Sequence, residues 1–216
     1  MLRFLLVAQV IAVVSLGFHS PLYAKAYPWF MFLPAIVNGT PPISDTCADD
    51  DLIFDRYLPM GKNCDVIKDI VTNLEWQRCS VGQTWNPDTK RCDGAPAGYS
   101  WYSADAQSFP DGWRMPNVTE LRSLVYCSTG DPILIGNDLY DATCNGEYTR
   151  PTIIVEAFPD VPWVGNSLSA HYWTSSSNDN DSGMAWVVNF YKGNVGDDGN
   201  KITPGLSIRL VRPPTN

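Results

Sequence analysis

Histidine is scarce in this chain: the 216 residues include two, His19 and His171. A hydrolase triad needs a histidine beside a nucleophile. His19 lies in the N-terminal stretch at 1–26, which is predicted below to be a cleaved leader. His171, with the serines at 175–177, is therefore the one candidate for such chemistry, and no nucleophile-elbow motif accompanies it. No Cys-x-x-Cys pair and no glycine-rich phosphate loop occurs, which disfavours a zinc site and a nucleotide site. These absences lead us to expect that the protein is not an enzyme.

Basic residues are also few. The chain has 15 Lys and Arg against 23 Asp and Glu, for a net charge of −8. Removal of residues 1–26 would take away Arg3 and Lys25, leaving 13 basic and 23 acidic side chains and a net charge of −10. Nucleic acids and anionic membranes repel an acidic surface. We therefore expect no nucleic-acid partner.

Long apolar runs are limited to the N-terminus. A short cationic start, an apolar run at 4–16 and small residues at Ala24 and Ala26 predict a secretory signal peptide over 1–26. The following run, YPWFMFLPAIV at 27–37, is broken by two prolines and is shorter than the roughly 20 residues of a membrane span. We expect no transmembrane span once the leader is cleaved. The run at 27–37 is either a strand that packs on the domain or an apolar arm that packs on another copy of the chain, a partner subunit or a membrane face.

The chain does contain six cysteines. An even number of cysteines behind a secretory leader is typical of a disulfide framework. Proximity in sequence favours pairing each cysteine with its neighbour, although six cysteines allow 15 pairings. The predicted location is secreted, periplasmic or cell-surface. The predicted pairs are Cys47 with Cys64, Cys79 with Cys92, and Cys127 with Cys144.

The pattern along the chain predicts an irregular segment over 27–65 and one domain over 66–213. Turn residues at 72–73 predict a β-hairpin of 66–71 with 74–78. Two short helices are predicted, one at 103–109 and one starting at Asn117, where Glu120 completes a capping box. Alternating residues predict an antiparallel sheet with one buried face. Its strands are expected at 172–175, 184–191 and 206–211.

A series of motifs resembles one known family. The residues are VTNLEWQRCSVGQTW at 71–85, YSW at 99–101, GWRMPN at 112–117, Glu120, Leu121 and Leu124, AFP at 157–159, YWTSS at 172–176, AWVVNF at 185–190 and IRLVR at 208–212. In this order they resemble the C-terminal domain family of the bacterial collagen-like adhesin Lcl, formerly domain of unknown function 1566, over about 66–213. More loosely, they are similar to the C-type-lectin-like fold of formylglycine-generating enzymes.

The resemblance implies a surface or secreted bacterial domain with an α+β, C-type-lectin-like fold: mostly antiparallel sheet, two short helices, loop-rich and stapled by disulfides. The namesake adhesin is trimeric and binds sulfated glycosaminoglycans, whereas this chain lacks collagen-like repeats and is acidic. Formylglycine-generating enzymes use free cysteines near the chain end, and the last cysteine here is Cys144. That departure argues against their activity.

Several motif residues have structural explanations. Arg114 and Glu120 are expected to tie a loop to a helix start, and Arg209 and Arg212 to bridge buried carboxylates or carbonyls. The aromatic residues Trp113, Trp173 and Trp186 are expected in the core.

Our first hypothesis is an extracellular binding module, an adhesin that recognises a glycan or a protein ligand through loops 160–170, 177–183 and 192–204. Aromatic rings there would stack on sugars, and acidic side chains would hold hydroxyl groups or calcium. The predicted ligand-binding residues are Trp163, Tyr172, Asp179, Asp181, Asp197, Asp198 and Asn200, and the four aspartates are the calcium candidates.

Two alternatives stay open. The chain is a structural or assembly subunit of a surface fibre or coat, in which the arm at 27–37 inserts into a neighbour. Alternatively it is a secreted enzyme that uses His171 or a pair of carboxylates, although sequence cannot place two carboxylates at a glycosidase's catalytic separation.

Overall fold

Short strands and two short helices form the part of the chain that the computed structural model describes, which is Cys47 and residues 52–130, 143–162 and 170–215. The side chains of Asp197 and Asp198 are not described. The predicted leader at 1–26 and apolar arm at 27–37 lie outside these residues. The elements are β1 (Tyr57–Met60), β2 (Val66–Asp69), β3 (Leu74–Gln77), β4 (Thr84–Asn86), β5 (Arg91–Asp93), α1 (Trp101–Asp105), α2 (Val118–Arg122), β6 (His171–Ser177), β7 (Met184–Asn189), β8 (Asn194–Asn200) and β9 (Val211–Arg212).

The strands form three antiparallel sheets, ordered β1-β2-β3-β9, β4-β5 and β6-β7-β8. The predicted hairpin of residues 66–71 and 74–78 is confirmed as β2 and β3, where Ile67 lies opposite Trp76 and both are fully buried. Strand β1 was not predicted, because it lies in the segment expected to be irregular. The fold class is the expected one: loop-rich α+β with mostly antiparallel sheets.

The three predicted disulfides are confirmed as Cys47–Cys64, Cys79–Cys92 and Cys127–Cys144. The bridged cysteines are separated in sequence by 17, 13 and 17 residues, respectively. Such bridges restrict the unfolded chain and are worth about 3 kcal/mol each in the loop-entropy account. They therefore stabilise the segments that they close.

The second helix begins as predicted. Asn117 accepts a hydrogen bond from the N–H of Glu120, and the Glu120 carboxylate accepts from the N–H of Asn117, both at 2.8 Å. Arg114 donates to the same carboxylate at 2.8 and 2.7 Å, which confirms the expected tie between loop and helix. The predicted first helix at 103–109 is wrong in both bounds, since α1 spans Trp101–Asp105. It starts earlier because Ser100 caps it by accepting from the N–H of Ser103.

The predicted core tryptophans are confirmed for Trp113 and Trp173, and Trp186 is partly buried against the core. The predicted role of the C-terminal arginines is also confirmed. Arg209 donates to the carbonyls of Gln77 and Arg78, and Arg212 donates to the Glu75 carboxylate at 2.8 Å.

The predicted strand over 206–211 is wrong in its extent and in its exposed face. Only Val211–Arg212 forms a strand, and isolated bridges pair Leu206 with Tyr99 and Ser207 with Tyr172. Both faces of the run are covered, so Ser207 and Arg209 are buried rather than solvent-facing. The alternating pattern therefore does not mark a half-exposed strand here.

In the described part of the chain, no helix is long and apolar enough to cross a bilayer.

Candidate binding groove

The structure describes the side chains of four of the seven ligand-binding residues predicted from sequence: Tyr172, Asp179, Asp181 and Asn200. Trp163 lies outside the described residues. Asp179, Asp181 and Asn200 are exposed near the ends of β6, β7 and β8. Asp197 and Asp198 fall inside β8, so most of the predicted loop at 192–204 is a strand, and their side chains are not described. A ligand role for the exposed residues stays a prediction.

The predicted sugar-stacking role of Tyr172 is wrong. Its side chain has 0% exposed surface, its ring packs edge-to-face on Phe190, and its hydroxyl lies 2.7 Å from the Ser80 hydroxyl. A ring with no exposed surface cannot stack on a sugar. Its position on β6 explains the difference, because the residue pairs with Val188 of the central strand and faces the core.

The acidic loops are organised around a lysine. Lys201 is buried, and its ammonium donates to the Ser177 hydroxyl at 2.6 Å and to the Ser182 carbonyl at 2.8 Å. The Asp181 carboxylate accepts from the N–H of Gly183, which closes a local turn. Among the side chains described, no group of three or more His, Cys, Asp or Glu is placed to hold a metal ion. The calcium hypothesis stays a prediction, because the side chains of Asp197 and Asp198 are not described.

A groove of about 770 Å³ lies elsewhere, between the β4–β5 hairpin with its following residues and the segment 150–162. This volume is within the range of about 300–1,000 Å³ that is usual for small-molecule sites. Four prolines and three aliphatic side chains line it, and three basic and two acidic side chains complete it. The basic residues are Lys90, Arg91 and Arg150, and the acidic residues are Glu156 and Asp160.

Asp160 joins the two walls of the groove. Its carboxylate accepts a hydrogen bond from the N–H of Cys92 at 2.8 Å and another from the Arg91 guanidinium. Cys92 is in turn bonded to Cys79. The side chain of Gln83 donates to the carbonyl of Gly94. The groove is therefore built before any ligand arrives, since a disulfide and the partly buried Asp160 carboxylate fix its hairpin wall.

Arg150 is held in place on the groove wall. Its guanidinium lies 4.4 Å from the ring centroid of Tyr148 and 4.7 Å from that of Tyr191, and its Nε donates to the Tyr191 carbonyl at 3.1 Å. Its two terminal nitrogens make no hydrogen bond within the described part of the chain. Two aromatic contacts and one hydrogen bond therefore fix the plane of a guanidinium whose outer donors are free.

The groove has mixed chemistry. A planar guanidinium with free donors matches the two oxygens of a carboxylate or the oxygens of a sulfate. Arg91 is 66% exposed and is already paired with Asp160, so it adds positive charge to the groove but not an unpaired guanidinium. The apolar lining suits the C–H surface of a ligand. The groove can therefore hold a mainly uncharged ligand that carries an acidic group near Arg150.

Sequence reasoning missed this groove, although one signal was available. The pair Cys79 and Cys92 encloses a turn-rich loop that must project from the domain, and Lys90 and Arg91 sit at its tip in an otherwise acidic chain. No sequence pattern places residues 150–162 against that loop, because the two segments are far apart in the chain.

The model of one protein family, described as the Lcl C-terminal domain, matches residues 65–212. The match confirms the resemblance drawn from the motifs over 66–213, and it includes every residue of the groove. Comparison with curated proteins and with solved structures gives no match.

Proposed function

Because the chain belongs to the Lcl C-terminal domain family, we propose that it is an extracellular, adhesin-type binding module without catalysis, and that it holds an acidic glycan in the groove between the β4–β5 hairpin and residues 150–162. The namesake of the family binds sulfated glycosaminoglycans. The proposal for this chain is narrower: recognition centres on one acidic group.

The presentation of Arg150 carries the proposal. An exposed arginine normally loses side-chain entropy when it binds, which costs up to about 2 kcal/mol. Here Tyr148, Tyr191 and the Tyr191 carbonyl already fix the guanidinium. A carboxylate or sulfate that meets its free donors gains charge-assisted hydrogen bonds at a reduced entropic cost.

The charge of the groove favours one acidic group over a polyanion. Two carboxylates, Glu156 and Asp160, lie among the three cations that line it, and the chain as a whole has a net charge of −8. A densely charged polymer would be repelled by the surface beyond the groove. A mostly neutral oligosaccharide with one uronic acid or one sulfate avoids that repulsion.

The location fits this role. Three disulfides, with no free cysteine in the described part of the chain, fit an extracellular environment. They also keep irregular loops in position, which a binding surface built on loops requires.

A glycan array tests the proposal. The oxidised chain is applied to matched oligosaccharides that carry a carboxylate, a sulfate or neither group. We expect binding to at least one acidic glycan and weaker binding to its neutral counterpart. Arg150→Gln should weaken that binding about tenfold or more, since a charge-assisted hydrogen bond contributes roughly 1.5–3 kcal/mol.

Two further variants test whether the guanidinium of Arg150, rather than positive charge in general, is required for binding. Arg150→Lys keeps the charge but loses the planar fork, so it should bind more weakly than the parent chain. Arg122→Gln removes the same charge from α2, outside the groove, and should leave binding unchanged. Equal losses in the Arg122 and Arg150 variants would indicate a general charge effect and would contradict the proposal.

A further inference from the structure

A second cavity, of about 400 Å³, lies beside the β2–β3 hairpin and is lined by two tryptophans and several polar side chains. The residues that matter here are Asp65, Gln77, Trp85, Asp111, Trp113 and Arg212. None of these six lines the groove described above, although Gln83 lines both cavities. We propose that this cavity, hereafter the tryptophan cavity, is a binding site for a neutral sugar ring, independent of the acidic-glycan groove.

Both indole rings are fixed in position. The Nε1 of Trp85 donates to the Asn63 carbonyl at 2.7 Å, and the guanidinium of Arg78 lies 4.0 Å from its ring centroid. Arg78 is itself buried and donates to three backbone carbonyls. A ring held at its polar edge and across one face keeps its orientation without a ligand, so the rest of its surface is a preformed stacking platform.

Trp113 belongs to the core and closes one side of the cavity, rather than offering a second stacking surface. It is 9% exposed, and Arg212 lies 4.3 Å from its ring centroid. Arg212 is anchored by its hydrogen bond of 2.8 Å to the buried Glu75 carboxylate. The small exposed part of Trp113 therefore lies in a rigid wall rather than on a mobile surface.

Hydrogen-bonding groups without partners surround the two rings. The carboxylates of Asp65 and Asp111 and the side-chain amide of Gln77 make no hydrogen bond within the described part of the chain. Carboxylates accept from hydroxyl groups, and an amide both donates and accepts. Free carboxylate and amide groups beside the fixed, partly exposed Trp85 ring supply what a sugar needs: acceptors for its hydroxyls and an apolar surface for its C–H face.

The charges of the tryptophan cavity select a neutral ligand. Asp65 and Asp111 would repel a carboxylate or a sulfate. The guanidiniums of Arg78 and Arg212 each cover one face of an indole ring, so a cationic ligand at the remaining ring surface would meet like charge. A polyhydroxylated ring without charge meets neither obstacle.

An array of neutral oligosaccharides tests the inference. The glycans are built from glucose, galactose, mannose, fucose and N-acetylhexosamines, and the full oxidised chain is applied. We expect binding to at least one of these classes, with a change in tryptophan fluorescence on titration. Asp111→Asn should weaken this binding about tenfold, because it removes one charged acceptor.

The variants separate binding from folding. Asp111 has φ 58°, a conformation that asparagine also tolerates, and its carboxylate is unpaired, so Asp111→Asn should fold normally. Trp85→Ala should abolish the fluorescence change and the binding. Arg150→Gln alters the groove alone and should leave neutral-glycan binding intact, so failure of one site is distinguishable from failure of the other. No binding to any neutral glycan, or full binding by both Asp111→Asn and Trp85→Ala, would overturn the inference.

Discussion

The carboxylate of Asp160 accepts the backbone N–H of Cys92 at 2.8 Å, across 68 residues of sequence. Its other oxygen accepts from Arg91. This contact fastens a disulfide-closed hairpin to the segment 150–162 and so defines the shape of the groove. The groove is therefore a tertiary feature, and the Asp160 side chain is one of the contacts that join its two walls.

Asp160→Ala should lower the free energy of unfolding by about 1–3 kcal/mol, because it leaves the N–H of Cys92 without its acceptor. The residue also has φ 57°, which alanine adopts at a further cost. Urea denaturation of the oxidised chain measures the loss. Asp160→Asn is the matched control, since an amide oxygen still accepts and asparagine tolerates this backbone. An Ala variant as stable as the parent would refute the role of the contact.

Acid should weaken the β1–β2 region through Asp69. Burial alone would raise the pKa of Asp69, but hydrogen bonds from Arg56 and Thr72 outweigh it and hold that pKa below its usual value. A lowered pKa means that this stabilisation is present above the unfolded-state pKa of about 3.9 and is lost as the pH falls through the lower, folded-state value.

The test is the free energy of unfolding of the parent chain and of Asp69→Asn, measured by urea denaturation at a series of pH values from 7 downwards. The variant should be less stable at pH 7, by about 1–3 kcal/mol. The difference between the two proteins should shrink as acid protonates Asp69. A difference that is constant with pH would contradict the account.

Arg209 should not tolerate lysine. It is fully buried and donates to the carbonyls of Gln77 and Arg78, and its guanidinium lies 5.0 Å from the ring centroid of Phe158. Lysine has a more strongly hydrated, compact charge and cannot reproduce the planar contacts. Arg209→Lys should therefore lower the free energy of unfolding by about 3–5 kcal/mol, as for other disrupted buried charges. Thermal and urea denaturation check this, and Arg122→Lys on the surface is the control.

Gly199 should be intolerant of alanine. A Cβ there would lie 2.6 Å from atoms of both Trp173 and Val187, in the core between two strands. Overpacking of this kind typically costs 1–3 kcal/mol. Gly183 has only an aspartate carboxylate nearby, at 3.3 Å, so Gly183→Ala should be nearly neutral. Denaturation of the two variants in parallel gives the comparison, and equal effects would contradict the close packing at Gly199.

Local patterns predicted the local structure well. The capping box at Asn117, the β2–β3 hairpin and the neighbouring disulfides depend on residues that are close in sequence, and all three are confirmed. The family followed from motifs spread over the domain.

Structure that depends on residues far apart in the chain could not be predicted from such local patterns. Strand β8 reads NVGDDGN, and glycine and aspartate are depleted in strands. It forms because β7 pairs with it and Gly199 allows close approach to Trp173. Likewise, nothing in the sequence around Tyr172 or Trp85 distinguishes a buried ring from one that lines a cavity.

The affinity of the oxidised chain for an oligosaccharide with a single uronic acid, compared with that of Arg150→Gln by calorimetry, tests the central claim most directly. The account predicts that the parent chain binds, and that both the variant and the methyl ester of the ligand reduce affinity about tenfold or more. Equal affinities for the parent and the variant, or no loss on esterification, would contradict it.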